Sequence, residues 1–235
     1  MSYRETELEK EQKIIVFGAS RFATLMTAYI KEFSTWDIVA YAVDKEYITG
    51  GDFCEKPLLP LDGIQKEYPP ERFSVFVAVG YNQMGDIRKR LFEQAKSAGY
   101  HVLNFIHPKA LCYAESLGEG NILLESSVVS LRSRIGNGNL IWNGCQLGHD
   151  LVVGDFNTFC AGSIISGDTH VGDNCFFGVG SATRNGVKVA SYTFVGMQEQ
   201  LNHDSDERQA YIKISGSKPQ KMPSHKIMKF FELSE

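Results

Sequence analysis

His149 and Asp150, in the run Leu147-Gly148-His149-Asp150, are the pair in this sequence best suited to moving a proton. An unperturbed imidazole titrates at about 6.5, so near neutral pH it is mostly uncharged and can take a proton from an attacking amine or hydroxyl. An adjacent carboxylate orients the ring, and a nearby backbone N–H can steady a developing oxyanion. Such a set suits acyl transfer from an activated thioester, which needs no serine or cysteine nucleophile on the protein. The plainer reading is an exposed histidine beside an exposed aspartate.

Three further stretches carry polar or flexible groups at the ends of apolar runs: Gly18-Ala19-Ser20-Arg21, Asp44-Lys45 and Gly80-Tyr81-Asn82. A Gly-x-Ser turn that opens a helix can offer backbone N–H groups to a phosphate. It lacks the full G-x-G-x-x-G of a dinucleotide fold, which argues against an NAD dehydrogenase, and such turns also arise for topological reasons. Asp44 suits a ribose or a base, or is simply a solvated strand end. Cys145, Cys160 and Cys175 stand fifteen apart, a spacing expected to rotate them onto different sides of an eighteen-residue coil, so no metal site is expected from them. His149 and His170 are twenty-one apart and out of phase with that coil, which argues against a three-histidine zinc site.

The elements that must position His149 announce themselves by period. Every sixth residue from Leu117 to Val195 is aliphatic or Phe, with Thr183 the one exception. Chance would give this in roughly one of a thousand trials or fewer. Gly118, Gly136, Gly148, Gly154, Gly172, Gly178 and Gly196 follow members of the series, and Leu117-Gly118, Ile135-Gly136, Val153-Gly154 and Val171-Gly172 recur every eighteen residues. A period of six fits short strands joined by corners, three strands to a triangular coil. The apolar side chains point inward, and coils stack about 4.8 Å apart. Small residues after them are expected to supply the φ values of the corners. His149 should then project from the prism surface, with Gly167 and Asn185 in its column.

Ahead of the repeats, residues 13–107 alternate between strand and helix. Strands are expected at Lys13–Phe17, Ile38–Val43, Phe73–Val79 and His101–Ile106, and helices at Phe22–Phe33 and Gly85–Ala98. That order predicts a small parallel sheet flanked by helices, with ligands bound at the carboxyl ends of its strands. The expected division is a Rossmann-like sugar-nucleotide unit over 1–107 and a β-helix unit over 108–235. After Gly196 the register fails, and Ser224–Leu233 reads as a short helix docking Ile227, Phe230 and Phe231.

The chain has 235 residues and a formal charge of −4, which argues against a general nucleic-acid or membrane-surface role. No apolar run approaches the ~20 residues of a membrane span, and the polar opening does not read as a signal peptide. Five cysteines without a disulfide framework fit a reducing cytoplasm.

The segment Ile141–Gly167, with the repeats, the Gly-Ala-Ser turn and the His107-Pro108 junction, resembles the hexapeptide-repeat sugar acetyltransferases. Within them it is similar to the sialic acid O-acetyltransferase and bacillosamine-pathway UDP-amino-sugar N-acetyltransferase group. The resemblance implies a left-handed parallel β-helix following the α/β part. It implies an acetyl-CoA-dependent enzyme of cell-surface glycan synthesis, with no metal, assembling as a homotrimer whose sites lie between subunits. His149 would be the general base and Asp150 its orienting partner. Gly167, Val179, Gly180, Gly196, Lys218 and Lys221 would meet acetyl-CoA. Gly18, Ser20, Arg21, Asp44, Gly80, Asn82, Arg88 and Asn143 would meet a nucleotide sugar, Arg21 and Arg88 at its pyrophosphate. The group often has a second histidine nine residues after the first, where this chain has Thr158, and its tail differs at Lys218-Pro219-Gln220-Lys221. N-acetylation of a nucleotide-linked amino sugar is the leading expectation. O-acetylation of a sugar hydroxyl, transfer of a longer acyl group, and a non-catalytic sugar-nucleotide-binding protein stay open beside it.

Overall fold

The computed structural model describes residues 8, 10–48 and 50–212. Lys218, Lys221 and the amphipathic stretch 224–233 lie outside the described residues.

The apolar run KIIVF forms strand β1 (Lys13–Phe17). Ser20 ends the following turn and caps helix α1 (Arg21–Phe33), its hydroxyl accepting from Ala23 N–H at 3.4 Å. Ala23, Met26, Thr27 and Ile30 give α1 one buried face. Then come β2 (Asp37–Val43), the hairpin β3 (Asp52–Phe53) and β4 (Lys56–Pro60), α2 (Ile64–Glu67), β5 (Ser74–Val77) and α3 (Asp86–Ser97). The sheet order is β3-β4-β2-β1-β5, parallel except for β3 against β4.

The expected last strand, His101–Ile106, does not join this sheet as one piece. Val102 makes a single parallel bridge to Val75, whereas Phe105–Ile106 (β6) pairs with Ile122–Leu123 of the prism. Phe105 is fully buried against Trp36, Phe76 and Tyr29, so it belongs to the seam between the two parts.

From β6 onward the chain is a stack of two-residue parallel strands ending at Ala210–Tyr211 (β23). They form three sheets of seven, six and five strands, each strand paired with the one a coil away, as Leu140 with Thr158 and Gln146 with Ile164. This is the left-handed parallel β-helix. The first face begins with Phe105–Ile106, the second with Leu111–Cys112 and the third with Ser116–Leu117. The six-residue apolar series fills the core from Leu123 to Leu201, and Phe159 stacks on Phe177 with centroids 5.0 Å apart. Thr183 keeps its inward place because its Oγ1 accepts from Ser166 N–H at 3.0 Å.

The corners turn differently from the expectation. Left-handed φ recurs every six residues from Gly120 to Gln198, through Arg132, Gly144, Asp150, Phe156 and Asn174 among others, three places after each core residue. The glycines directly after the core residues are not in that region; they are small because the coils approach too closely. A Cβ on Gly148 would stand 2.7 Å from Gly167 N, and one on Gly172 2.6 Å from Ser191 Oγ.

Among the described residues the α/β unit packs along the first face and the two corners that flank it. Ile122, Leu140 and Thr158 on that face are buried on their outward side as well, whereas the matching Gln146, Ile164, Val152 and His170 on the other faces are exposed. The seam also holds Phe22 against Trp142, and Tyr29 donates to Glu125 at 2.8 Å. His107 packs edge-on to Phe33 at 4.3 Å, its Nδ1 accepting from Lys109 N–H at 3.0 Å, and burial lowers its pKa.

Candidate active site

His149 lies at the corner between the second and third faces, away from the α/β unit, with its side chain 55% exposed. Asp150 occupies the left-handed turning position of that corner (φ 57°), which short polar residues tolerate. Its Oδ2 stands 2.7 Å from His149 Nδ1. One coil away, Arg132 grips the same carboxylate with both prongs, Nε to Oδ1 at 2.6 Å and Nη2 to Oδ2 at 2.5 Å. The Arg132 hydrogen bonds, then that of His149, hold the Asp150 carboxyl down to about 2. Arg132 was not anticipated, although counting eighteen back from Asp150 finds it.

With Nδ1 facing Asp150, the ring lies over Gly167: a Cβ there would stand 2.6 Å from Cε1 and 2.7 Å from Nε2. Only glycine leaves room for the imidazole. The Gly167 N–H has no acceptor among the described residues. Thr183 fixes the preceding peptide through Ser166 N–H, so the one polar member of the core series sits behind the candidate oxyanion donor. A shallow groove of about 430 Å³ runs from His149 past Leu131 and Tyr113. Among the described residues one group could bring three metal-type ligand atoms within 4.8 Å of each other, His149, Asp150 and Asp168; neither His170 nor His203 joins it.

Of the expected nucleotide-sugar residues, Gly18, Ser20, Asp44, Gly80 and Asn82 line one cavity of about 630 Å³ at the carboxyl ends of the strands. Gly18 has a positive φ (121°), and a Cβ there would lie 2.7 Å from Ala78 O, so close approach of β1 to β5 already demands glycine. Asp44 is held by Arg90, Nη2 to Oδ2 at 2.6 Å and Nη1 to Oδ1 at 3.1 Å. Arg21 is exposed at the start of α1 and is not among the lining residues.

Arg88 is not available to a ligand. It is 1% exposed, and its guanidinium donates to Gly138 O, Gly80 O, Phe156 O, Asn157 O and Thr158 Oγ1, joining the α/β unit to the prism. Burial lowers its pKa to about 10. Thr158 is buried on the first face beneath Arg88, not beside His149. Asn143, Val179 and Gly180 fall on the corner between the first and second faces, one side of the triangle away from His149. Gly196 lies there too, donating to Tyr211 O at 2.8 Å. Val179 is 50% exposed and Met197, one coil on, 68%. Cys145 and Cys160 also share that corner, contrary to the spacing expectation, with the Cys145 thiol donating to Cys160 O at 3.1 Å. Burial pushes Cys160 up to about 11 and Cys175, on another corner, to about 12.

No protein-family model and no curated protein matches the chain. Solved structures do. The acetyltransferase domain of PglB from Neisseria gonorrhoeae FA1090, in complex with acetyl coenzyme A, is 23% identical with a TM-score of 0.75, covering 86% of this chain and 96% of that one. WeeI from Acinetobacter baumannii AYE is 22% identical with a TM-score of 0.72, over 86% of this chain and 96% of its own. PerB from Caulobacter crescentus, in complex with CoA and GDP-perosamine, is 23% identical with a TM-score of 0.70, over 84% and 92%. Over those lengths the chain shares the fold of these three proteins, an α/β unit followed by a left-handed parallel β-helix.

Proposed function

We propose that the protein is an acetyl-CoA-dependent N-acetyltransferase acting on a nucleotide-linked amino sugar for cell-surface glycan synthesis. The observation that carries this is His149, bonded through Nδ1 to Asp150 and lying over Gly167, whose N–H has no acceptor among the described residues. The acceptor nitrogen attacks the thioester carbonyl carbon while His149 Nε2 removes its proton. The Gly167 N–H receives the developing oxyanion. The carbon–sulfur bond then breaks, and the thiolate of CoA leaves and takes up a proton. Asp150, oriented by Arg132, keeps the ring in the tautomer whose Nε2 is free. The fold shared with PglB and PerB, solved with acetyl coenzyme A and with CoA and GDP-perosamine respectively, supports both substrates.

Residues 1–107 would hold the nucleotide, through Gly18, Ser20, Asp44, Gly80 and Asn82, and residues 108–235 would carry acetyl transfer. Val179, Gly180 and Gly196, with Lys218 and Lys221, would follow acetyl-CoA. In one chain the nucleotide cavity lies on the first-face side, His149 on the corner opposite that face, and Val179 on a third location. A homotrimer in the cytoplasm, in which neighbouring copies bring these parts together, answers that separation. Among the described residues no helix is long and apolar enough to cross a membrane.

Replacing His149 by Ala is expected to lower acetyl transfer to UDP- or GDP-linked amino sugars by about 10²-fold or more. The purified variant should keep its far-UV dichroism and a sedimentation mass three times that of the chain. Undiminished turnover would remove the general base, and a monomeric mass would remove the shared site.

A further inference from the structure

Gln83, Met84 and Gly85 are three successive left-handed residues, with φ of 52°, 53° and 87°. Residues with side chains persist there only where their surroundings hold them. The surroundings in this case belong to the prism. Asn174, 1% exposed, donates from Nδ2 to Met84 O at 3.0 Å and to Asp86 Oδ1 at 3.2 Å. Tyr192, a coil further, donates its hydroxyl to the same Asp86 Oδ1 at 2.8 Å. The Arg208 guanidinium lies 4.2 Å over the Tyr192 ring. Gly85 is pressed against Phe156 O, where a Cβ would come within 2.6 Å. On its other side the same turn gives Asn82 and Gln83 to the wall of the 630 Å³ cavity.

We propose that Asn174 and Tyr192, on the prism corner between the third and first faces, are positioning residues for ligand binding in the α/β cavity, and that Gln83 is the contact they present beside Asn82. A side-chain amide carries both donors and an acceptor, which suits the hydroxyls and diphosphate of a nucleotide. The proposal rests on the nucleotide-sugar reading of that cavity. It makes affinity there depend on prism residues that touch no ligand. Without their grip the turn relaxes toward ordinary φ, and Gln83 swings off the wall.

The test uses the full chain with Tyr192→Phe, which keeps the ring under Arg208, alongside Asn174→Ala and Gln83→Ala. Amide hydrogen exchange needs no ligand. Residues 82–86 are expected to exchange at least tenfold faster in Tyr192→Phe and Asn174→Ala, with β1, β2 and β5 as protected as before. Calorimetric titration with UDP and GDP supplies the second readout. The better of the two is expected to bind each of the three variants about tenfold more weakly, with exchange in Gln83→Ala unchanged. Unaltered exchange at 82–86 overturns the proposal whatever binds. Full nucleotide affinity in the variants overturns it while sparing the nucleotide reading. Failure of the unaltered chain to bind either nucleotide sinks that reading, and the ligand role of Gln83 with it.

Discussion

At the scale of single residues, the candidate chemistry depends on what lies beside His149 rather than on the histidine alone. Gly167→Ala would place a methyl 2.6 Å from the ring's Cε1. The exposed imidazole can rotate away, so stability should hardly change while acetyl transfer falls about 10²-fold, as a displaced catalytic group requires. Equal turnover with Ala in steady-state kinetics would detach Gly167 from the site. Asp150 offers a test in pH. Its folded value of about 2 lies below the ordinary one, so its pairing stabilises the fold fully above that ordinary value. The contribution fades as pH falls from about 4 toward 2. Carboxyl carbon NMR should therefore show no Asp150 inflection between about pH 5 and 8. A midpoint at or above the ordinary value would mean that Arg132 does not grip it. Residue type made His149 and Asp150 candidates, but with six histidines in the chain it took the place of the pair in the repeat and the resemblance of Ile141–Gly167 to single them out. Arg132 escaped notice because its role appears only when coils are laid over one another. Arg88 was misplaced for the converse reason: the resemblance implied a pyrophosphate contact, and nothing in the chain signals that four prism oxygens surround it.

At the scale of elements, the corner between the third and first faces is held by polar ladders as much as by the apolar core. Asn121, Asn139 and Asn157 are fully buried, and each accepts through Oδ1 from the residue one coil on: Asn139 N at 2.9 Å, Asn157 N at 2.9 Å and Cys175 N at 2.7 Å. Beside them Asn137, Asp155 and Asp173 accept in the same manner from the preceding coil. Asn139→Ala strands the Asn157 N–H and the Gly154 carbonyl, and is expected to destabilise by about 1–3 kcal/mol for each buried group left unpaired. Thermal unfolding measures it, and an unchanged midpoint would show that water replaces the amide. The prism was legible because a six-residue period survives any choice of side chain within the apolar class. The corners were less so. Their glycines suggested φ, whereas crowding decides those positions; the true turning places hold glycine at 120, 138, 144, 162, 180 and 186, but Ser, Arg, Asp, Phe, Asn, Tyr and Gln at the others. The hairpin β3–β4 gave no periodic signal because its strands are short and interrupted by proline.

At the scale of the whole molecule, the alternation of strand and helix told of an α/β unit, but not of where it would sit. Burial of both residues in Ile122–Leu123 and Leu140–Ile141 marks its resting place, which apolar type alone does not, because Val152–Val153 and Ile164–Ile165 are as apolar and leave Val152 and Ile164 exposed. Each coil otherwise meets only the coils above and below, and a stack of that kind frays from an unsupported end. The α/β unit acts as a splint across it, touching rungs from Phe105 to Phe176 and, through Asp86, to Tyr192. Strands Phe194–Val195, Gln200–Leu201 and Ala210–Tyr211 extend past the end of that brace. They should open first under mild denaturant, read as early loss of amide protection there while Leu123 to Phe159 stay closed. Simultaneous opening along the whole length would mean that something other than the brace keeps these last described strands shut.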